Sequence, residues 1–148
     1  MSENDIGLTV AIATGVPATF DAAGFEALTW VVIVHPITVG EIGDAHESIA
    51  VPNLTTGRTR TIKGAAVGAT IPFTFGQHKA DVGQIAVKAA CATAGGEYSF
   101  RVTNLAGDDE YISGVPMSFK RSERSSSSYA GIAFSVSMNY APVEVAAA

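Results

Sequence analysis

The chain has 148 residues, 47% of them hydrophobic and only 16% charged, with a formal net charge of −5. That length suits one domain with a core of its own, and the acidic balance and single cysteine exclude a net-basic nucleic-acid module and an internal disulfide framework. The charged fraction is well below the ~25% of an ordinary soluble domain, so part of the surface is expected to be buried against other subunits.

No apolar run approaches the ~20 residues that span a bilayer; the longest is Trp30–Val34. The first residues, MSENDIG, are acidic and polar, so neither a signal peptide nor membrane insertion is expected. The lone Cys91 fits synthesis in a reducing compartment. Asn53-Leu54-Thr55 matches a glycosylation sequon, read here as chance.

In chain order, Leu8–Ile12 is a weak strand, and Trp30–Val34, apolar on both faces, is expected to be a central strand. His35–Ser48 has three acids and no period, so it is expected to be a long functional or partner-ordered loop. Residues 57–64, GRTRTIKG, place Arg58, Arg60 and Ile62 on one strand face and Thr59, Thr61 and Lys63 on the other. Val67, Ala69, Ile71, Phe73 and Phe75 alternate with small and polar residues, as a half-buried strand does.

One helix is expected. Asp81 is its N-cap, Val82, Ile85, Ala86 and Ala89 form its apolar face, Gln84 and Lys88 lie outside, and Gly95-Gly96 end it. Three strands follow: 98–103; a run carrying Tyr111, Val115, Met117 and Phe119; and 132–140. NLAGDD (104–109) predicts a hairpin turn, and RSERSSSSY (121–129) a polar hairpin loop. Pro72 and Pro116 lie inside strand patterns and predict an edge position or a bulge. The fold class is mainly β: a sandwich or barrel-forming sheet with one flanking α-helix. Its expected core includes Trp30, Val32, Ile71, Phe73, Ile85, Phe100, Phe119 and Phe134.

Catalytic constellations are missing from the sequence. His35, His46 and His78 are scattered and match no zinc spacing. Glu41, Asp44, His46 and Glu47 do not have the order of a calcium loop. Cys91 sits among helical alanines, a core setting rather than a reactive one. Asp108, Asp109 and Glu110 are turn residues, and Glu123 with the following serines has no matching base. The expectation is no enzyme, no cofactor and no metal.

The strip of Arg58, Arg60 and Lys63 allows three readings: nucleic-acid binding, a solvated strand face, or an intersubunit contact. Nucleic-acid modules interleave aromatics with their cations, and residues 53–72 contain none. Three acids precede the strip, Glu41, Asp44 and Glu47, matching its three bases in number. Opposite charges on neighbouring stretches suit head-to-tail pairing of copies.

Four stretches, TGVPATFDAAGFEALTW (14–30), VPNLTTGRTRTIKGA (51–65), GEYSFRVTNLAGDDEYISGVPMSFKRSE (96–123) and SYAGIAFSVSMNY (128–140), resemble the major tail tube proteins of long-tailed, siphovirus-type bacteriophages and prophages. The resemblance implies a single tail tube domain over 1–148 with flexible terminal arms, similar in fold to the type VI secretion tube protein. It implies self-assembly into hexameric rings that stack into a hollow tube on a tape-measure protein, bounded by tail terminator and distal tail proteins. DNA would be transient cargo in an acidic bore during genome ejection. The chain would be assembled in the bacterial cytoplasm and reside in the virion tail. The family's long loop and arms make ring-to-ring contacts, which places an interaction loop at about 35–63. Arg101, Lys120, Arg121 and Arg124 would then belong on an outer face or a subunit contact. Two alternatives stay open: the tube protein of a contractile injection system, and a monomeric β-sandwich binding module of a phage tail.

Overall fold

A computed structural model of the chain describes residues 7–68, 70–93, 96–121, 126–127 and 130–146. The order is β1 (Thr9–Thr14), α1 (Ala22–Glu26), β2 (Val31–Ile33), β3 (Pro36–Val39), β4 (Asp44–Val51), β5 (Arg60–Gly68), β6 (Thr70–Gly76), α2 (Val82–Ala92), β7 (Tyr98–Thr103), β8 (Asp109–Arg121), β9 (Gly131–Met138) and β10 (Val143–Val145). The main sheet runs β2-β1-β7-β8-β9-β6-β3, all antiparallel, with β10 on β8. β4 and β5 form a separate two-stranded sheet.

The mainly β expectation holds, and the sheet is rolled. β2 and β3 end the strand order at opposite edges, yet only Val34 and His35 separate them in sequence. Three Cα steps reach at most roughly 11 Å, so the two edges must curl toward each other. Side chains close the seam. Gln84 Nε2 donates to Val34 O (3.1 Å) and Gly76 O (2.8 Å), and its Oε1 accepts from His78 N (2.8 Å). Asp81 caps α2 by accepting from Gln84 N (3.0 Å), and its same oxygen accepts from Val34 N (3.2 Å). The helix thus supplies hydrogen bonds that a neighbouring strand would otherwise make.

Phe73, Phe75, Phe100 and Phe134 fill the roll with rings 5.1–6.4 Å apart, all stacked except the tilted Phe100–Phe134 pair. Val10, Ile12, Ile33, Ile71, Ile112 and Val136 complete it. Expected core residues Ile71, Phe73, Phe100 and Phe134 are buried, and Phe119 packs against them half-buried. A second aromatic cluster lies on the other face of β8. Phe25 of α1 stacks on Tyr111 (4.7 Å), Trp30 lies 5.6 Å from Tyr111, and Phe20 stacks on Tyr140 (4.4 Å). Trp30 is half-buried in this cluster, and its Nε1 donates to Phe25 O (2.9 Å).

Several expectations are corrected. Val31–Ile33 is a short edge strand rather than a central one, and Val32 stays 50% exposed on it. A second helix, α1, is too short to show a period. Among the described residues four strands follow α2 instead of three, because Val143–Val145 adds β10. The face of α2 is also different: Gly83, Gln84, Val87 and Ala90 point inward, while Ile85 is 55% exposed and Val82 also faces out. Both ladders repeat at helical spacing, but the smaller one lets the helix approach more closely. A Cβ on Gly83 would lie 2.3 Å from Val32 O.

Of the two strand prolines, only Pro116 falls at an irregularity as expected. Pro72 is at neither an edge nor a bulge, because β6 is paired on both sides and its register with β9 is unbroken. Pro72 sits in β6 opposite the end of β3, where its carbonyl accepts from Gly40 N (2.8 Å). A Cβ on Gly40 would meet the Pro72 ring at 2.3 Å, so glycine is required there. Pro116 directly precedes the register shift between Met117 and Lys120, with Ser118 at φ 58°. The predicted turn at NLAGDD joins β7 and β8. The RSERSSSSY loop and the Gly95 stop lie wholly or partly outside the described residues.

Candidate assembly interface

His35–Lys63 is not an irregular loop. β3 pairs with β6, and β4 pairs with β5. β5 runs into β6 with one residue between them. The segment is therefore a long hairpin whose outer half, β4–β5, leaves the sheet as a ribbon. Its exposed residues extend from Ala45 to Lys63 and beyond Gly64 to Gly68. Neither face of the ribbon meets the core of the subunit.

The ribbon nevertheless has two unlike faces. Directly paired residues share a face, and faces alternate along β4. Val67 pairs with Ala45, Ile62 with Ile49, and Arg60 with Val51. Val67, Ile49, Ile62 and Val51 thus lie on one side. Ile49 and Ile62 are each 47% exposed, and the two valines are similarly open. Glu47 shares that side, with its Cβ 3.3 Å from the Cβ position of Gly64, and the register shifts between His46 and Ser48. The opposite face carries Ser48, Ala50, Thr61 and Lys63. An isolated two-stranded ribbon is marginal in water, and one with an uncovered apolar face needs a partner.

The tip is preorganised. Asn53 Oδ1 accepts from Thr55 N (2.9 Å) and Thr56 N (3.4 Å), and Gly57 N donates to Asn53 O (2.9 Å). Gly57 has φ 68°, a conformation that glycine adopts without strain. Thr56 Oγ1 accepts from Arg58 N (3.3 Å). This turn holds Leu54 outward with its side chain 100% exposed.

The sequence-derived charges all fall on this element or its entry. Glu41 is exposed just before β4, Asp44 opens β4 opposite Gly68, and Glu47 lies at the register shift. Arg58 flanks the tip, Arg60 starts β5, and Lys63 pairs with Ser48 on the opposite face. Glu41 and Asp44 lie at the root, Arg58 and Arg60 toward the tip, and Glu47 and Lys63 at mid-ribbon on opposite faces. The exposed apolar residues Ile49, Val51, Leu54 and Val67 were not singled out from the sequence as an uncovered surface. The signal for Ile49 and Val51 was the Ala45-Glu47-Ile49-Val51 alternation. Val67, expected on the core face of a half-buried strand with Ile71, Phe73 and Phe75, is instead 46% exposed on β5.

Other bases are placed away from the ribbon. Arg101 lies over the Trp30 ring, 5.3 Å from its centroid, as a cation–π contact. Lys120 and Arg121 end β8, and Arg124 lies outside the described residues. Burial pushes the Cys91 thiol up to about 11, the direction of an inert thiol. Among the described residues no cluster of three His, Cys, Asp or Glu side chains could hold a metal.

No protein-family model and no curated protein matches the chain. Solved structures do. The sheath/tube terminator of the PVC extracellular contractile injection system, in its extended state, superposes with a TM-score of 0.67 at 11% identity, over 99% of this chain and 98% of that one. The tail of an empty gene transfer agent particle, refined with C6 symmetry, gives 0.62 at 18% identity over 99% and 100%. The SPP1 tail tube gives 0.62 at 13% identity over 94% and 77%. At such identities the likeness is one of fold. The chain has the fold that these tail-tube and tube-terminator proteins share.

Proposed function

We propose that the chain is the structural subunit of a phage tail tube. Copies close into six-fold rings, and the rings stack into a hollow channel through which a genome is delivered. The observation that carries this reading is the β4–β5 ribbon, which leaves the body with Ile49, Val51, Ile62 and Val67 uncovered on one face. Such a ribbon is a device for contact between copies, and its root acids and tip bases set the polarity of the contact. Likeness in fold to the tail of the gene transfer agent and to the SPP1 tail tube supports the same reading. The net charge of −5 also supports it, since an acidic wall lets a polyanion pass without sticking.

In this role the chain is not an enzyme and needs no cofactor. Its partners are other copies, a tape-measure protein inside the tube, and terminator and distal proteins at the tube ends. DNA is transient cargo, and the chain resides in the virion tail. Arg58→Glu with Arg60→Glu tests the reading. Tube growth should fail in the double variant while its circular dichroism stays native. Normal polymerisation would remove the charged strip from the interface.

A second reading has its own support, because the PVC sheath/tube terminator belongs to a contractile system. Here the chain would form the inner tube beneath a sheath. Co-purification of tubes with a contractile sheath from the native source would select it; bare tubes would select the first reading.

A further inference from the structure

β8 links two surfaces of opposite charge. The strand runs thirteen residues, so Asp109 and Arg121 stand at most roughly 40 Å apart, shortened by the register shift at Met117–Lys120. At the start of β8, the 104–108 turn is fixed by Asn104 N donating to Asp108 O (3.1 Å) and Asp108 N donating to Asn104 Oδ1 (3.0 Å). The turn holds up Leu105, 74% exposed. Asp108, Asp109, Glu110 and Glu144 line the hollow beside it. At the other end of β8 lies a groove of about 270 Å³ between the β6–α2 connection, α2 and the end of β8. Ile85, Phe119 and Ile132 form its apolar floor, and Lys79, Lys88 and Arg121 its cationic rim.

We infer that the β7–β8 turn of one copy docks into this groove on the next copy. This rests on the self-assembly reading above and names one of its contacts. Leu105 enters the groove over Ile85 and Phe119, and the acids around it meet Lys79, Lys88 and Arg121. The two surfaces cannot meet within one copy, because a strand holds them apart. The contact is therefore heterologous, and it repeats from copy to copy until a ring closes or a filament grows. It also accounts for the outward turn of Ile85, which a monomer leaves in water, and gives the end of β8 a use other than lining a DNA channel.

The test is charge exchange. Lys79→Glu with Lys88→Glu makes one variant, and Asp108→Lys with Glu144→Lys makes the other. Each alone should raise the critical concentration for assembly by about tenfold or more. An equimolar mixture should return it to near the wild-type value, because each variant's turn then fits the other's groove. Leu105→Cys with Ile85→Cys, in a Cys91→Ala background, gives a check that does not depend on charge. Oxidised assemblies should run as a covalent ladder on a non-reducing gel, since β8 keeps the two positions apart within a copy.

Wild-type tubes together with unimpaired variants and no ladder would overturn the docking while leaving the tube reading intact. A mixture that stays unassembled would do the same. Unimpaired assembly, with a short single-stranded oligonucleotide bound by wild type and released by Lys88→Glu, would assign the groove to nucleic acid instead. A wild-type protein that never assembles overturns both readings.

Discussion

Leu54→Ser isolates the ribbon tip from everything else the fold needs. Leu54 is fully exposed at the end of a turn held by Asn53, so the substitution removes no contact within the subunit. Burying such a side chain against a neighbour contributes about 2 kcal/mol. At 1.4 kcal/mol per tenfold, its loss should raise the critical concentration for polymerisation about 30-fold. Ultracentrifugal pelleting across a dilution series, with light scattering for growth rate, measures this. The thermal midpoint of the unassembled subunit should move by less than a degree or two, as expected for a surface change of under ~0.5 kcal/mol. An unchanged critical concentration would mean that the tip touches nothing in the polymer. A large fall in the subunit's own midpoint would mean that the tip is part of the folded body. Either result refutes the reasoning.

Gln84→Leu should destabilise the subunit by about 3 kcal/mol, because Val34 O, Gly76 O and His78 N each lose a partner at the seam. For a chain of this length that lowers the thermal midpoint by about 6–12 °C, measurable by calorimetry on a non-assembling variant. Gly83→Ala should cost a similar amount by lifting α2 from the Val32 backbone, and urea titration would register it as a lower midpoint. Glu110 faces Glu144 across the β8–β10 pairing, with Val102 opposite it on β7 and Asp108 and Asp109 nearby. Burial, then repulsion from Glu144, raises the Glu110 carboxyl above its ordinary value. A raised carboxyl favours the docked strand at low pH, and that contribution is lost as pH rises through the folded-state value. Hydrogen exchange at Val143–Val145, corrected for intrinsic rates, should therefore show greater opening of β10 as pH rises, and Glu144→Gln should flatten the dependence. With its thiol near 11, Cys91 should alkylate slowly at pH 8, and its rate should climb steeply toward pH 11.

Much of the architecture is legible because a single buried face forces strict alternation. Ile71, Phe73 and Phe75, or Ile132, Phe134 and Val136, declare their strands in that way. The β7–β8 turn and the Asp81 cap are local chemistry and are equally plain. The misreadings share a cause, which is that the deciding term is tertiary. α2 offers two apolar ladders, and only the fit of Gly83 on β2 and the reach of Gln84 to the seam select the inner one. β2 looks central because it is apolar on both sides, but its chain leaves at once across the seam. The ribbon is hidden because neither of its faces meets the core of the subunit, so Glu47 and Arg60 interrupt a pattern that no core enforces. Its charges were visible, while the apolar side chains they flank were not.

Electron cryomicroscopy of the purified protein at increasing concentration tests the central claim most directly. The account expects hollow six-fold tubes in which each β4–β5 ribbon lies, apolar face down, on a copy in the adjoining ring. A protein that remains monomeric at every concentration, or tubes in which the ribbon projects into solvent, would contradict it.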